Sequence, residues 1–316
     1  MSRILPRILS RLLGIVVVLI LLVSVVFVIV RVTPGDPAAV MLGPDASAQD
    51  IAQLRERLGL NAPLLRQYLS FLAGVARGDL GQSIFLGIPV TSALAARAEP
   101  TFFLTLFSIL IAVAIALPVG LLSACKRGTL FDQIVISLSM LGASVPSFWL
   151  GLILIQIVAG NLGWLPVSGY GGPDATFLER LRHLILPALA LGIVNSALIT
   201  RFTRAAMLDV LADDYIRTAR AKGASEWRVV LKHAFKNALI PIITVIGLSI
   251  ALLISGAVVT ETVFGLPGLG SLVVSAVLRR DYPVIQGTLL VVAAIYVLIN
   301  VVIDMLYLLV DPRVRL

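Results

Sequence analysis

The chain has 316 residues, 59% hydrophobic and 13% charged, with a mean hydropathy of +1.03; soluble domains are about 45–50% apolar and about 25% charged, so a water-soluble globule is excluded. Its 25 Lys and Arg against 17 Asp and Glu give a net charge of +8, which in a membrane protein is read by side of the bilayer. One cysteine, Cys125, and two histidines exclude an internal disulfide and a Cys/His zinc cage.

Residues 12–30 form an apolar run interrupted only by Gly14 and Ser24, about 28 Å long as a helix against about 30 Å of hydrocarbon. Arg3, Arg7 and Arg11 precede it, but the run is longer than a signal-peptide core and no small-x-small cleavage site follows, so it is read as an uncleaved anchor. Beyond it, Ser47 with Asp50 starts a helix that carries Ile51, Leu54 and Leu58 on one face and stops at Gly59. A second helix is predicted over 63–76, with Leu65, Leu69, Leu72 and Ala76 in one stripe. Both are amphipathic and suit a small lid on the membrane surface.

Five further spans follow, at 100–124, 134–160, 183–200, 239–260 and 283–310. The expected fold class is therefore an all-α polytopic membrane protein with six transmembrane helices and both termini on one side. Pro118, Pro146 and Pro187 fall inside spans, as packing irregularities or as shapers of a pore. The chain divides into an N-terminal segment with the first span (1–32), an extracytoplasmic helical loop (33–98), and a core of five spans (99–316) that includes the loop 201–238.

Charge gives the orientation. The N-terminal segment, the loop at 125–133, the loop at 201–237 and the C-terminus hold 15 of the 25 basic residues and the whole net +8. The 201–237 loop alone has eight basic residues (Arg201, Arg204, Arg217, Arg220, Lys222, Arg228, Lys232, Lys236) against Asp209, Asp213, Asp214 and Glu226, while Arg313 and Arg315 at the C-terminus are matched by Asp304 and Asp311. The other connecting segments sum to zero. By the positive-inside rule both termini and the 201–237 loop are cytoplasmic.

Within that loop, residues 214–223 read as a short helix stopped by Gly223, and Ser225 caps a second helix carrying Trp227, Leu231 and Phe235 toward Pro241. Ala219 and Gly223, one turn apart, offer a small surface that a partner protein can approach closely. Tethering between two spans is incompatible with docking into a DNA groove.

Residues 214–223 and 225–241 resemble the cytoplasmic EAA loop of binding-protein-dependent ABC transporter permeases, in particular the dipeptide/oligopeptide/nickel branch. Thr33-Pro34-Gly35-Asp36-Pro37, Gly81-Gln82-Ser83-Ile84 with Pro89-Val90, Val145-Pro146-Ser147-Phe148-Trp149, Leu162-Gly163-Trp164-Leu165-Pro166, the run from Glu261 to Gly270, and Asp281-Tyr282-Pro283 support the resemblance over nearly the whole chain. Arg217-Thr218-Ala219 stands where the loop's name-giving Glu-Ala-Ala belongs, and Pro241 lies further past the glycine than in the general pattern, as in the peptide branch.

The resemblance implies a permease subunit, not an enzyme, in a bacterial cytoplasmic membrane. It implies as partners a second homologous permease, two cytoplasmic ATPase subunits and an extracytoplasmic substrate-binding protein, besides membrane lipid, with no nucleic acid. No cofactor is expected on this chain; ATP is used by the partner subunits, in keeping with the absence of a G-x-x-x-x-G-K-[ST] motif. Asp214, Tyr215, Arg217, Ala219, Lys222 and Gly223 are the expected ATPase-coupling residues. Glu261, Phe264, Gly265, Pro267, Gly268 and Gly270 are the expected outer gate, a turn re-entering the outer leaflet.

Polar residues inside spans face the bundle interior or a water-filled path; the candidates are Thr105, Gln156, Asn195, Ser196, Ser255 and Asn300, with Thr101 and Ser108, each able to serve instead as interhelical glue. The competing class, an ion-coupled secondary transporter, calls for a midplane acid or histidine and an inverted repeat; neither is visible. The substrate, whether dipeptide, longer peptide, nickel chelate or another small solute, is left to the binding protein.

Overall fold

The structure is a computed structural model describing residues 4–32, 35–43, 45–57, 59–172 and 174–310. Arg3, Thr33, Pro34, Leu58, Asp311, Arg313, Arg315 and the side chain of Asp304 lie outside the described residues. Every regular element described is helical, apart from one antiparallel bridge between Gln82 and Pro89. The chain forms two compact units, one of Met1–Glu99 with Gly268–Val297 and one of Pro100–Pro267 with Leu298–Leu316.

The first unit opens with α1 (Ile4–Val32), followed by the short α2 (Pro37–Leu42). Asp36 caps α2 by accepting from the Ala38 N–H, with Pro37 in the first helical position where its missing N–H is harmless. Ser47 and Asp50 start α3 (Ala48–Arg57) through reciprocal bonds of 3.1 and 2.6 Å, and Gly59 closes it at φ +68°. In α4 (Leu64–Ala76) the predicted stripe is not the packed face: Leu65, Leu69 and Ala76 are exposed. Tyr68 and Phe71 instead meet Phe27 of α1 at ring distances of 5.3 and 6.2 Å, and the Tyr68 hydroxyl is 2.7 Å from Ser24. The rings present more area and a polar tip, and so outcompete the leucines for this contact. Val90 and Leu94, at the start of α5 (Val90–Cys125), pack with Leu269, Leu272 and Ala276 of α12 (Leu269–Arg279) and Val284 of α13 (Tyr282–Val310).

The second unit contains the rest of α5, then α6 (Leu130–Ser144), α7 (Ser147–Leu154) running on as a π-helical segment Ile155–Asn161, and α8 (Phe177–Leu211). After α9 (Asp214–Ala221), the turn α10 (Glu226–Arg228) passes through a second π-helical segment, Val229–Phe235, into α11 (Lys236–Val263). In α5 and α8, Cβ atoms added at Gly120 and Gly192 would stand 2.8 Å from Thr200 O and from Ile111, so these glycines permit close helix approach.

Among the described residues, four helices are long and apolar enough to cross a membrane: Val90–Cys125, Phe177–Leu211, Glu226–Val263 and Tyr282–Ile303. The pair Leu130–Ser144 and Ser147–Asn161 makes a fifth if counted as one span. The predicted 134–160 span is thus not one helix but two, bent by 95°. Pro146 lacks an N–H and forces Val145 to extended backbone (φ −86°, ψ 123°), which ends α6. In the first predicted span α1 is helical, and its described apolar part, Val16–Ile29, is shorter than the other spans.

The cytoplasmic loop predicted over 201–238 is largely helix. Its first part is the end of α8, a 35-residue helix about 52 Å long, and its last part is continuous with α11. Only α9 and its flanking turns are inserted between two helices longer than a bilayer is thick.

Candidate functional site

The inserted helix α9 is seated by one apolar side chain. Ile216, fully buried, joins Leu121 and Ala124 of α5, Ala206 and Met207 of α8, Val229, Val230 and Ala234 of the π-helical segment, and Ala238 and Ile242 of α11. Asp214, Tyr215, Arg217, Arg220, Lys222 and Gly223 are exposed, so most of the helix surface is polar and open. Ala219 is half-buried against the apolar cluster, so of the two small residues expected to offer a surface only Gly223 is exposed.

Gly223 stops the helix in the left-handed region (φ +78°), its N–H donating to Arg220 O at 2.9 Å while Ala224 N–H returns to Ala219 O at 3.3 Å. A Cβ built on Gly223 would meet nothing within 4 Å, so the constraint there is backbone conformation, not internal space. Arg220 spans the turn with a forked pair to Glu226, at 2.9 and 3.3 Å. Tyr215 hydroxyl donates to His233 O at 3.3 Å and accepts from Asn237 Nδ2 at 2.7 Å, fastening α9 to the start of the long helix. Ser225 occupies the N-cap position of α10, but its side chain makes no capping bond, contrary to the sequence expectation. The Asp214–Arg217 pair, at 3.3 Å, is almost fully solvated and holds little. Beside α9 lies an open cavity of about 520 Å³ whose lining includes Cys125, Lys126, Arg127, Arg220, Glu226 and Trp227.

Sequence reasoning missed a second feature on this side. Asp132, read as a loop charge, is 2% exposed in the first turn of α6. Its carboxylate accepts from Arg204 Nε at 2.6 Å and Nη2 at 2.7 Å, from the Ser123 hydroxyl at 2.5 Å, and from Gly128 N–H at 2.9 Å. The only sequence signal is an acid three residues after a capping threonine, Thr129, which marks the helix start and not the partner on α8.

The glycine-rich run after α11 is divided. Glu261 is not in a loop but within α11, fully buried, with Thr101 hydroxyl donating to its Oε1 at 2.6 Å. Phe264 is buried over Gly151, where an added Cβ would stand 2.8 Å from the ring, and its carbonyl accepts from Gly169 N–H at 2.8 Å. Gly265, at φ +60°, turns the chain toward Pro267. Gly268 and Gly270 belong to the first unit, as the N-cap and second residue of α12.

The six polar candidates for a path have different surroundings. Asn195 and Ser196 spend their donors on Leu191 O and Ile193 O of their own helix, and Ser196 is buried. Gln156, Ser255 and Asn300 are exposed, Ser255 donating to Ala251 O at 3.4 Å. The Thr105 hydroxyl is buried without a hydrogen-bond partner.

In the first unit, three motifs far apart in sequence converge. Asp281, 3% exposed, accepts from the Ser83 hydroxyl at 2.5 Å and from the N–H groups of Ile84 and Phe85 at 3.1 and 3.2 Å. Tyr282 hydroxyl donates to Gly35 O at 3.0 Å, and Arg279 lies 3.9 Å over the Phe85 ring. Three of these joints are side chain to backbone, which residue spacing does not reveal.

Comparison with known proteins gives concordant matches. Residues 116–316 match the family model "Binding-protein-dependent transport system inner membrane component", and residues 4–87 match its N-terminal counterpart, "Binding-prot-dependent transport system membrane comp, N-term". The chain is 45% identical over 308 residues, 98% of each chain, to the probable peptide ABC transporter permease protein y4tP of Sinorhizobium fredii. It is 42% identical to the dipeptide transport system permease protein DppB of Escherichia coli K12, over 92% of each chain. Against the glutathione transport system permease protein GsiC of Escherichia coli O6:H1 the identity is 42% over 98% of each chain. A chain of the MetNI methionine ABC transporter in inward-facing conformations shares the fold, with a TM-score of 0.58 at 20% identity over 70% of this chain and 97% of that one.

Proposed function

Because the chain belongs to the family of binding-protein-dependent transport system inner membrane components, we propose that it is the permease subunit of an ATP-driven importer of peptides or similar small solutes. The relatives named for peptide, dipeptide and glutathione transport support that substrate class. In this reading α1, α5, the bent α6–α7 pair, α8, the helix over 226–263 and α13 are six spans, with both termini in the cytoplasm of a bacterial cell whose inner membrane holds the protein. A second homologous permease completes the translocation path. Two ATPase subunits dock from the cytoplasm and a binding protein delivers substrate from outside.

The observation that carries the reading is α9: a polar, exposed helix tied by Ile216 to the end of α8 and the start of α11. A force applied to α9 reaches α8 and α11 directly, and ATP-driven closure of the docked subunits supplies that force. Asp214, Tyr215, Arg217, Lys222 and Gly223 form the contact, with Ala219 beneath it. The run from Glu261 to Gly270 serves as outer gate, and Thr105, Gln156, Asn195, Ser196, Ser255 and Asn300 are the polar groups assigned to the path. This chain supplies no catalytic residue and holds no cofactor.

Gly223→Trp tests the assignment. The side chain enters open space and the strain of the left-handed backbone falls on an exposed turn, so membrane insertion is retained, while ATP-dependent uptake and ATPase co-purification are lost. Wild-type uptake by this variant, measured in proteoliposomes, would remove α9 from the mechanism.

A further inference from the structure

The apolar cluster around Ile216 unites α5, α8, α9, the π-helical segment and α11, but among the described residues it takes no side chain from α6. The buried side chains of α6 are Asp132, Val135 and Ser139. At its cytoplasmic end, α6 is fastened through Asp132, whose carboxylate gathers donors from α5 (Ser123), from the intervening turn (Gly128) and, as a fork, from Arg204 of α8. Arg204 lies ten residues before Asp214 on a helix that continues unbroken to Leu211.

We infer that the Asp132–Arg204 pair is a positioning element that makes α6, and with it the bent α6–α7 span, follow the movement of the α9 coupling helix. The inference rests on the importer reading above. An apolar cluster is non-directional and lets packed helices slide, whereas a forked guanidinium–carboxylate pair fixes both distance and angle. Burial strengthens the constraint, because separating the pair leaves a charge without its partner in a poorly solvated site. The N–H of Gly128, in a turn at φ +79°, donates to the same Oδ2 that accepts from Arg204 Nη2, so a shift of Arg204 pulls on the start of α6 and the turn before it. α6 ends at the 95° break at Val145-Pro146, so displacement at its base is delivered to that bend.

The test uses the complete complex in proteoliposomes: this chain, its partner permease, the ATPases and a binding protein loaded with a labelled dipeptide. Dipeptide accumulated per ATP hydrolysed is compared for wild type, Asp132→Asn, Arg204→Met and Arg204→Lys, using assembled complexes only. Arg204→Lys keeps the charge balanced but loses the fork. It is expected to assemble as wild type and to transport about tenfold less dipeptide per ATP, within the range of ordinary coupling free energies. Asp132→Asn and Arg204→Met fall at least as far where they assemble. If they do not assemble, Arg204→Lys decides: a wild-type ratio in that variant overturns the assignment, because a merely structural pair changes the yield of complex and not its stoichiometry. Absence of ATP-dependent uptake in the wild-type complex would overturn the importer reading instead.

Discussion

Asp132 and Asp281 are both buried aspartates at the start of a helix, and both accept from a hydroxyl and from backbone N–H groups, yet they secure different things. Asp132 is completed by the guanidinium of Arg204, 72 residues away, so it fixes one helix to another. Asp281 makes no described hydrogen bond to a basic side chain. Its donors are Ser83, Ile84 and Phe85 of one loop and, at 3.5 Å, the N–H of Val284 in the first turn of α13. The positive end of a 29-residue helix and converging N–H dipoles take the place of a counter-cation. A carboxylate held by backbone dipoles fixes the shape of a loop; one held by an arginine fixes a distance between two elements that can also move together.

That contrast orders the expected effects of mutation. Asp132→Ala removes the partner of a guanidinium whose side chain is 20% exposed, and breaking such a pair destabilises by about 3–5 kcal/mol; the thermal midpoint of the detergent-solubilised chain should fall furthest here. Asp281→Ala strands N–H groups and a hydroxyl but no charge, for a loss of about 2–3 kcal/mol. Equal losses for the two variants would mean that the helix terminus does not substitute for a cation and that Asp281 is more heavily charged in effect than its neighbours suggest. Asp214→Ala, at the solvated end of α9, should leave the midpoint unchanged. A clear shift there would make α9 part of the stability of the fold, not a surface displayed for a partner.

Much of the chain was legible before folding. The sequence patterns placed α3, α4 and α9 within a few residues, because caps and glycine stops are local signals, whereas the predicted apolar runs 100–124, 183–200 and 239–260 lie within helices that extend well beyond them. The stripe on α4 misled, since aromatic rings one position away took the contact with Phe27. Residues 134–160 read as one run because hydropathy does not register the direction of a helix on either side of a proline. Of the residues proposed for coupling, the exposed ones, Gly223 among them, were visible as a charged, glycine-ended motif. Ile216, which seats the helix, was hidden, since a single buried isoleucine on a short helix carries no periodicity.

By itself the sequence determined the membrane class and the position of the glycine-ended helix, which depend on composition or on neighbours within a few residues, and, through motifs spread over nearly the whole chain, the family. Only the tertiary structure decided which charges are buried. Asp132, Glu261 and Asp281 fall outside the predicted spans, yet each lies within or beside a helix end and meets donors from elsewhere in the chain. A carboxylate is kept from water only when hydrogen-bond donors converge on it, and convergence between residues 72 to 198 positions apart is a property of the folded chain alone.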